Sequence, residues 1–526
     1  MKQLVDISNQ FKSSARVTES NFKPSTFLDN FVVHGTVLQT IDNICAELSG
    51  TQQRTFTVTG PYGSGKSTLA LYLSCLLSTD KKTRSRAHNL MGVGSRSNRQ
   101  FEESFKCDRG WMVVKHLCAL TSPVHGLTSS ILKAIGLEAD VVDTLNEEEC
   151  LAVVSNALKQ ATAQYDGVMI IIDELGKALD YLSSVGGDLH FFQAFADLVQ
   201  ELENVVVLGF LHQSFAAYAK GRDTRTRNEW EKVQGRYKDF SFNPSLEESL
   251  FLVSKSFEVD PVLRKTLINR ADDTLQAVTQ HFPVGQRIVL ENVLPLDPVV
   301  GLLLGPISKR SFSQNERSLF SFIATHENYG FRDYVKRQSL STIAFGTLYR
   351  IDSLWDYLYH NLGHIISASA DGKTWLEACD AVERAVTLGE SIHGFITKLV
   401  ALLSMVGRGS KLFASRQFLI DYILSLPEFD FIEEDVIEAL SFLEAKSIVI
   451  YRHNLNSYQI FRASDLDINR LILDWIERVK GGMEWVEHCD IGKMNSHIWK
   501  RHHTTSAMIL YWWRITPPQK WVVTYL

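Results

Sequence analysis

Thr55-Phe-Thr-Val-Thr-Gly60-Pro61-Tyr62-Gly63-Ser64-Gly65-Lys66-Ser67-Thr68 decides the fold. A short β-prone run stops at a turn of the form GxxxxGK[ST], and a helical run, Ser67 to Leu77, opens directly behind it. Strand, loop and helix in this order bring the backbone N–H groups of the turn and the positive end of a helix dipole to one point, which is what bound phosphates require. Gly63 and Gly65 permit the tight wrap. Lys66 is the cation expected to reach the β- and γ-phosphates, and the Ser67 hydroxyl is expected to ligate Mg²⁺. The loop from Gly60 to Thr68 is therefore assigned to the phosphates of ATP, with Mg²⁺ as the metal. The competing reading is a chance glycine-rich turn before a helix.

A partner for this loop lies about a hundred residues on. Val168-Met-Ile-Ile-Ile172-Asp173-Glu174 is an apolar strand ending in two carboxylates. Asp173 is expected in the Mg²⁺ shell, and Glu174 is expected to orient and deprotonate the attacking water. An N-cap pair for the next helix is the plainer alternative. Val205 to Phe210 reads as a neighbouring strand whose tip, Leu211-His212-Gln213-Ser214, offers Gln213 or His212 to the γ-phosphate or the water; an amide capping the next helix is the other reading. With Trp111 to His116 these strands, separated by helical segments, argue for an α/β fold: a parallel-sheet P-loop core. A basic stretch follows, Gly221-Arg-Asp-Thr-Arg225-Thr-Arg227 through Gly235-Arg236-Tyr-Lys-Asp239. Arg236, then Arg227, is the candidate to stabilise transition-state charge from a neighbouring subunit. Arg317, opening a helix of the expected lid, is a further candidate, against a merely solvated arginine.

The remaining sequence bounds what else the chain can be. Its 526 residues exceed one core, and a net charge of −6 with a pI near 6.3 gives no general pull toward nucleic acid or an anionic membrane. Seven scattered cysteines without CxxC spacing read as reduced thiols of a cytoplasmic protein. No signal peptide or stretch of eighteen apolar residues is present, so no membrane partner is expected. The organisation expected is an N-terminal arm (1–30), the ATPase domain (31–245) carrying an exposed basic insertion (81–110), a helical lid and linker (246–370), and a winged-helix-like domain (371–480). The last rests on two helices, Arg416 to Leu424 and Glu433 to Ala445, followed by a hairpin turning at His453 to Asn456. Residues 481–526 read as a tail or the start of a further domain, so the natural chain is expected to continue. His497, His502 and His503 lie near Cys489 at no standard zinc spacing.

Taken together, the phosphate loop, the Asp173-Glu174 strand end, the polar strand tip, the arginine segment, the lid and the winged-helix-like unit resemble the AAA+ and STAND superfamily of ATPases, in the order of its origin-recognition-like branch. Trp230 to Asp239, Phe312 to Phe322, and Tyr451-Arg-His-Asn through Ser464-Asp-Leu-Asp467 look like segments of large bacterial anti-phage defence ATPases. The chain departs from the superfamily in its long interval between Lys66 and Asp173 and in having Gln213 where asparagine is common. The resemblance implies nucleotide at the subunit interface of a homo-oligomer, a ring or stacked assembly, with Arg236 or Arg227 acting in trans and a separate effector protein. The function expected is ATP hydrolysis driving assembly or switching within a defence system. The alternative is a DNA-engaging loader or remodeller, with DNA or RNA as partner. A small-molecule kinase and a non-enzymatic protein using ATP as structural glue are further readings.

Overall fold

The strand opening at Thr55 is buried on both faces, and that requirement organises everything around it. The computed structural model describes residues 5–7, 17–18, 22–119, 122–185, 190–214, 224–282, 287–310, 319–339, 348–407 and 412–462. Arg317 and everything after Arg462, including the 481–526 tail, Ser464 to Asp467, Cys489, the three histidines and the terminal tryptophans, lie outside these residues. Nine strands are described: β1 (Val5–Ile7), β2 (Thr55–Thr59), β3 (Met112–Leu117), β4 (Val168–Asp173), β5 (Val205–Leu211), β6 (Lys238–Ser241), β7 (Phe257–Val259), β8 (Val449–Arg452) and β9 (Ser457–Ile460). Strands β2 to β6 form one parallel sheet in the order β3-β4-β5-β2-β6.

Side-chain alternation along the strands divides the core in two. Val168, Ile170 and Ile172 of β4 join Val205 and Val207 of β5 in one apolar cluster, covered by the helices Pro123–Ile135, Glu147–Gln164 and His190–Glu201. Met169 and Ile171 face the other way, with Val206, Leu208 and Phe210 of β5 and Phe56 and Val58 of β2. That second layer is closed by Gly35–Gly50 and Lys66–Leu76. The fold class is therefore the expected one, an α/β core with helices on both faces followed by a mostly helical region.

The segment 81–110 is more than an exposed insertion. It folds into two capped helices, Lys81–Met91 and Arg96–Ser104, whose Ala87, Met91, Phe101 and Phe105 are buried in the second layer. The Asp80 carboxylate caps the first through the amides of Lys82 and Thr83, and the Ser95 hydroxyl caps the second. Lys81, Lys82, Arg96, Arg99 and Lys106 stay on the outside. The N-terminal arm is likewise partly structured: β1 pairs antiparallel with β7, and Pro24–Asn30 is a helix.

From Leu246 to Ile460 a single apolar cluster joins the helices, and Val5 and Ile7 belong to it. The boundary expected near 370 falls inside this cluster. Side chains cross it as well: the Tyr422 hydroxyl donates to the buried Asp297 carboxylate at 2.9 Å, Thr274 donates to the Ser425 carbonyl at 3.0 Å, and His281 meets Asp421 at 2.7 Å. Asp297 also caps the helix Pro298–Lys309 through the Val299 amide. The helices Arg416–Leu424 and Glu433–Ala445 precede the β8–β9 hairpin, and the buried helix Ser391–Val406 belongs to the same apolar cluster. No helix among the described residues is long and apolar enough to cross a membrane. Replacing Tyr422 with Phe removes one donor from a fully buried carboxylate, so equilibrium urea unfolding should show a loss of about 1–3 kcal/mol.

Candidate nucleotide-binding site

The carboxyl ends of the parallel strands converge on one edge, where ligands of open α/β sheets bind. Gly60 continues β2, its N–H donating to the Leu211 carbonyl at 3.1 Å, and the Phe242 amide donates to Thr59 at 2.7 Å. The loop is therefore held between the tips of β5 and β6. Gly60 is required there, because a Cβ would stand 2.1 Å from the Phe242 carbonyl oxygen. Gly63 and Gly65 have φ of 71° and 98°, in the left-handed region that only glycine enters freely. Gly65 is the N-cap of Lys66–Leu76 and supplies no side chain to cap it, so the first amides of that helix are directed into the loop.

Lys66 is buried and donates to the carbonyls of Gly60 at 2.6 Å and Pro61 at 2.7 Å. Burial pulls its ammonium down to about 8, against the opposing pull of Asp173 and Glu174, which keeps it a cation at neutral pH. The Ser67 hydroxyl donates to Asp173 Oδ2 at 2.9 Å, joining the loop helix to β4 across the intervening β5. Burial raises the Asp173 carboxyl above its ordinary value, partly offset by the Ser67 hydroxyl and the Glu174 amide. A buried carboxylate with a hydroxyl beside it is a donor set that suits Mg²⁺, which takes one or two protein oxygens and fills its shell with phosphate oxygens and water. The Ser64 hydroxyl, buried within the loop without a hydrogen-bond partner, is suited to a phosphate oxygen. No group of three or more metal-ligating side chains exists among the described residues.

Glu174 follows in the left-handed region, φ 54°, which few non-glycine residues adopt. Its carboxylate pairs with Lys177, and Leu175 behind it is buried against Gly209 of β5, where a Cβ would come within 2.7 Å of Leu175 Cδ2. At the tip of β5 the two candidates separate: Gln213 is exposed, whereas His212 turns inward and stacks on Tyr62 of the loop, ring centroids 3.5 Å apart. Both His212 ring nitrogens are buried without a hydrogen-bond partner. Burial, then the charges of Lys66 and Lys177, push the imidazole down to about 3, so it is neutral and has one donor and one acceptor to offer.

Arg236 ends the helix Thr224–Arg236 and pairs with Asp197 at 2.7 Å, at the start of β2 and thus away from its own chain's loop. Arg227 lies on the same helix; its side chain is outside the described residues.

Two features went unread in the sequence. Asp239 of β6 accepts from the Thr57 and Thr59 hydroxyls at 2.7 and 2.6 Å, fixing the edge strand against β2. Glu248, at the first turn of Leu246–Ser254, accepts from the Thr36 amide at 2.5 Å and hydroxyl at 2.6 Å and meets His34 Nδ1 at 3.2 Å. A cleft of about 290 Å³ opens beside them, lined by His34, Gly35, Glu248, Phe251, Val289 and Asn292 among others. His34 contacts Phe242, whose ring packs beside Gly65, so one aromatic ring separates cleft and loop.

No protein-family model and no curated protein matches the chain. Among solved structures it is similar to the Aeropyrum pernix ORC1 protein in complex with DNA, at 15% identity and a TM-score of 0.30, over 85% of this chain and 93% of that one. It is also similar to the Aeropyrum pernix ORC2 protein in its ADPNP–ADP complexes, at 13% and 0.34 over 87% and 95%, and to Drosophila ORC bound to DNA, at 13% and 0.29 over 84% and 98%. At these scores the likeness bears no weight on chemistry, which rests on this chain's own residues.

Burial opposes the ionisation of Glu248, yet hydrogen bonds from Thr36, Ser245 and His34 bring its carboxyl from 4.5 down to about 2. A depressed carboxyl contributes stability that is present above its unfolded value and lost as pH falls through its folded one. The difference in unfolding free energy between wild type and Glu248→Gln should therefore be constant above about pH 4.5 and shrink between there and about pH 2, as read by urea titrations at stepped pH.

Proposed function

We propose that this chain is a Mg²⁺-dependent ATPase of AAA+ type, in which ATP binding and hydrolysis drive assembly or conformational switching. The observation that carries this reading is the junction of Ser67 with Asp173, followed at once by Glu174, beside a buried Lys66. Lys66 and the amides of the loop would neutralise the β- and γ-phosphates, and Ser67 and Asp173 would hold Mg²⁺, which supplies charge neutralisation between those phosphates. Glu174 is the base that takes a proton from the attacking water. Neutral His212, and beyond it Gln213, would fix the γ-phosphate end. The cleft at His34 and Glu248 suits the base and ribose, being apolar with a few polar groups.

Arg236, Arg227 and Arg317 are proposed to act in trans, which makes a homo-oligomer the working form. That Arg236 lies away from its own chain's loop is consistent with service to a neighbour. A separate effector and a setting in anti-phage defence rest on the segment resemblance alone.

DNA engagement through the helices-plus-hairpin unit is the second reading, and one observation weighs against its second helix as the reader. The exposed face of Glu433–Ala445 carries Glu433, Glu434, Asp435, Glu438 and Glu444 and no cation, so it would repel phosphates. Cationic contacts to nucleic acid would fall instead to the hairpin, where Arg452 and His453 are exposed, or to the outer face of 81–106.

Steady-state release of free phosphate tests the proposal. Glu174→Gln should lower kcat by about 10²–10⁴-fold while ATP still binds, and Lys66→Ala should abolish ATP binding. Unchanged release from the Glu174→Gln variant would reduce the nucleotide to structural glue, and ATP consumption without free phosphate would indicate transfer to an acceptor.

A further inference from the structure

We propose that Lys177 is a positioning residue that holds the Glu174 carboxylate against its own helix and keeps basal turnover low; this rests on the hydrolytic reading above. Residue 177 grips Glu174 at both ends. Its amide donates to the Glu174 carbonyl at 2.9 Å, and its ammonium pairs with the Glu174 carboxylate in i,i+3 relation. The left-handed backbone at Glu174 fixes the direction in which the side chain leaves the turn, and the ion pair fixes where it ends. A carboxylate oxygen occupied by an ammonium has fewer lone pairs free to orient a water.

The asymmetry of exposure points the same way. The Lys177 side chain is 46% exposed and that of Glu174 17%, so the cation lies over the base from the solvent side and can swing away into water. Lys177 is also near enough to the loop for its charge to act on His212, which stacks on Tyr62. A triphosphate, or an arginine from a neighbouring subunit, would compete for one member of the pair or the other. Exposed pairs contribute little, so the effect is a bias on the position of Glu174 and not a block.

The test uses the full chain and free-phosphate release across ATP concentration. Lys177→Met should raise kcat about two- to fivefold, the range an exposed ion pair supports, with KM for ATP changed by less than about twofold. Lys177→Gln should behave alike, and Lys177→Arg should return to the wild-type rate. In a Glu174→Gln background Lys177→Met should add nothing, which a structural or phosphate-binding role for the lysine would not predict. A fall in kcat, a rise in KM alone, or a gain that persists in the Glu174→Gln background would overturn the proposal. A flat response to Lys177→Met while Glu174→Gln is inactive overturns this inference only; full activity of Glu174→Gln overturns it together with the hydrolytic reading.

Discussion

One hydrogen bond, from the Ser67 hydroxyl to Asp173, holds the site together. It joins the helix that follows the loop to a strand two positions away in the sheet, across β5. For it to form, β4 must end level with the start of the loop helix. The register secures this, since Ile172 lies opposite Gly209 and Thr59 opposite Leu211. Strand register is set by burial on both faces, where a one-residue slip would send Ile170 and Ile172 into the wrong apolar layer. The chemistry at the edge thus depends on packing in the middle of the sheet.

The charges at this edge are arranged for a polyanion. Lys66, desolvated but still cationic, is satisfied by two loop carbonyls; Asp173 is buried beside a hydroxyl; His212 is kept neutral by burial and then by the charges of Lys66 and Lys177. Each of these groups is held in a state suited to a phosphate with its cation, which under the proposed function makes preorganised electrostatics the source of catalysis. Beyond the sheet, Glu248 ties the start of Gly35–Gly50 to Leu246–Ser254, so the cleft is flanked by the first element of the helical region. That region shares one apolar cluster as far as the β8–β9 hairpin.

Local features are legible in the sequence and distant ones are not. The loop, with glycines at 63 and 65, and the strand Val168 to Ile172 ending in Asp173 can be read because each is one contiguous element with its own pattern. The pairing of β1 with β7 joins residues some 250 positions apart, and three-residue strands leave no periodic trace. In the sequence Glu248 has the place of an ordinary capping-box residue, which it also is; its bonds to Thr36 and His34 span more than 200 positions. The polar composition of 81–110 suggests exposure, although Ala87 and Met91, then Phe101 and Phe105, stand at helical i,i+4 spacing. At the tip of β5, sequence alone leaves His212 and Gln213 equal. Which of the two is buried depends on Tyr62, a contact between segments 150 residues apart.

The most direct measurement of the central claim is calorimetric binding of ATP with and without Mg²⁺, to wild type and to Asp173→Asn. If Ser67 and Asp173 hold the metal, Mg²⁺ should tighten ATP binding to wild type by about tenfold or more, or at least ~1.4 kcal/mol, and should lose that effect in Asp173→Asn while metal-free binding is kept. Equal tightening in both proteins, or none in wild type, would contradict the account.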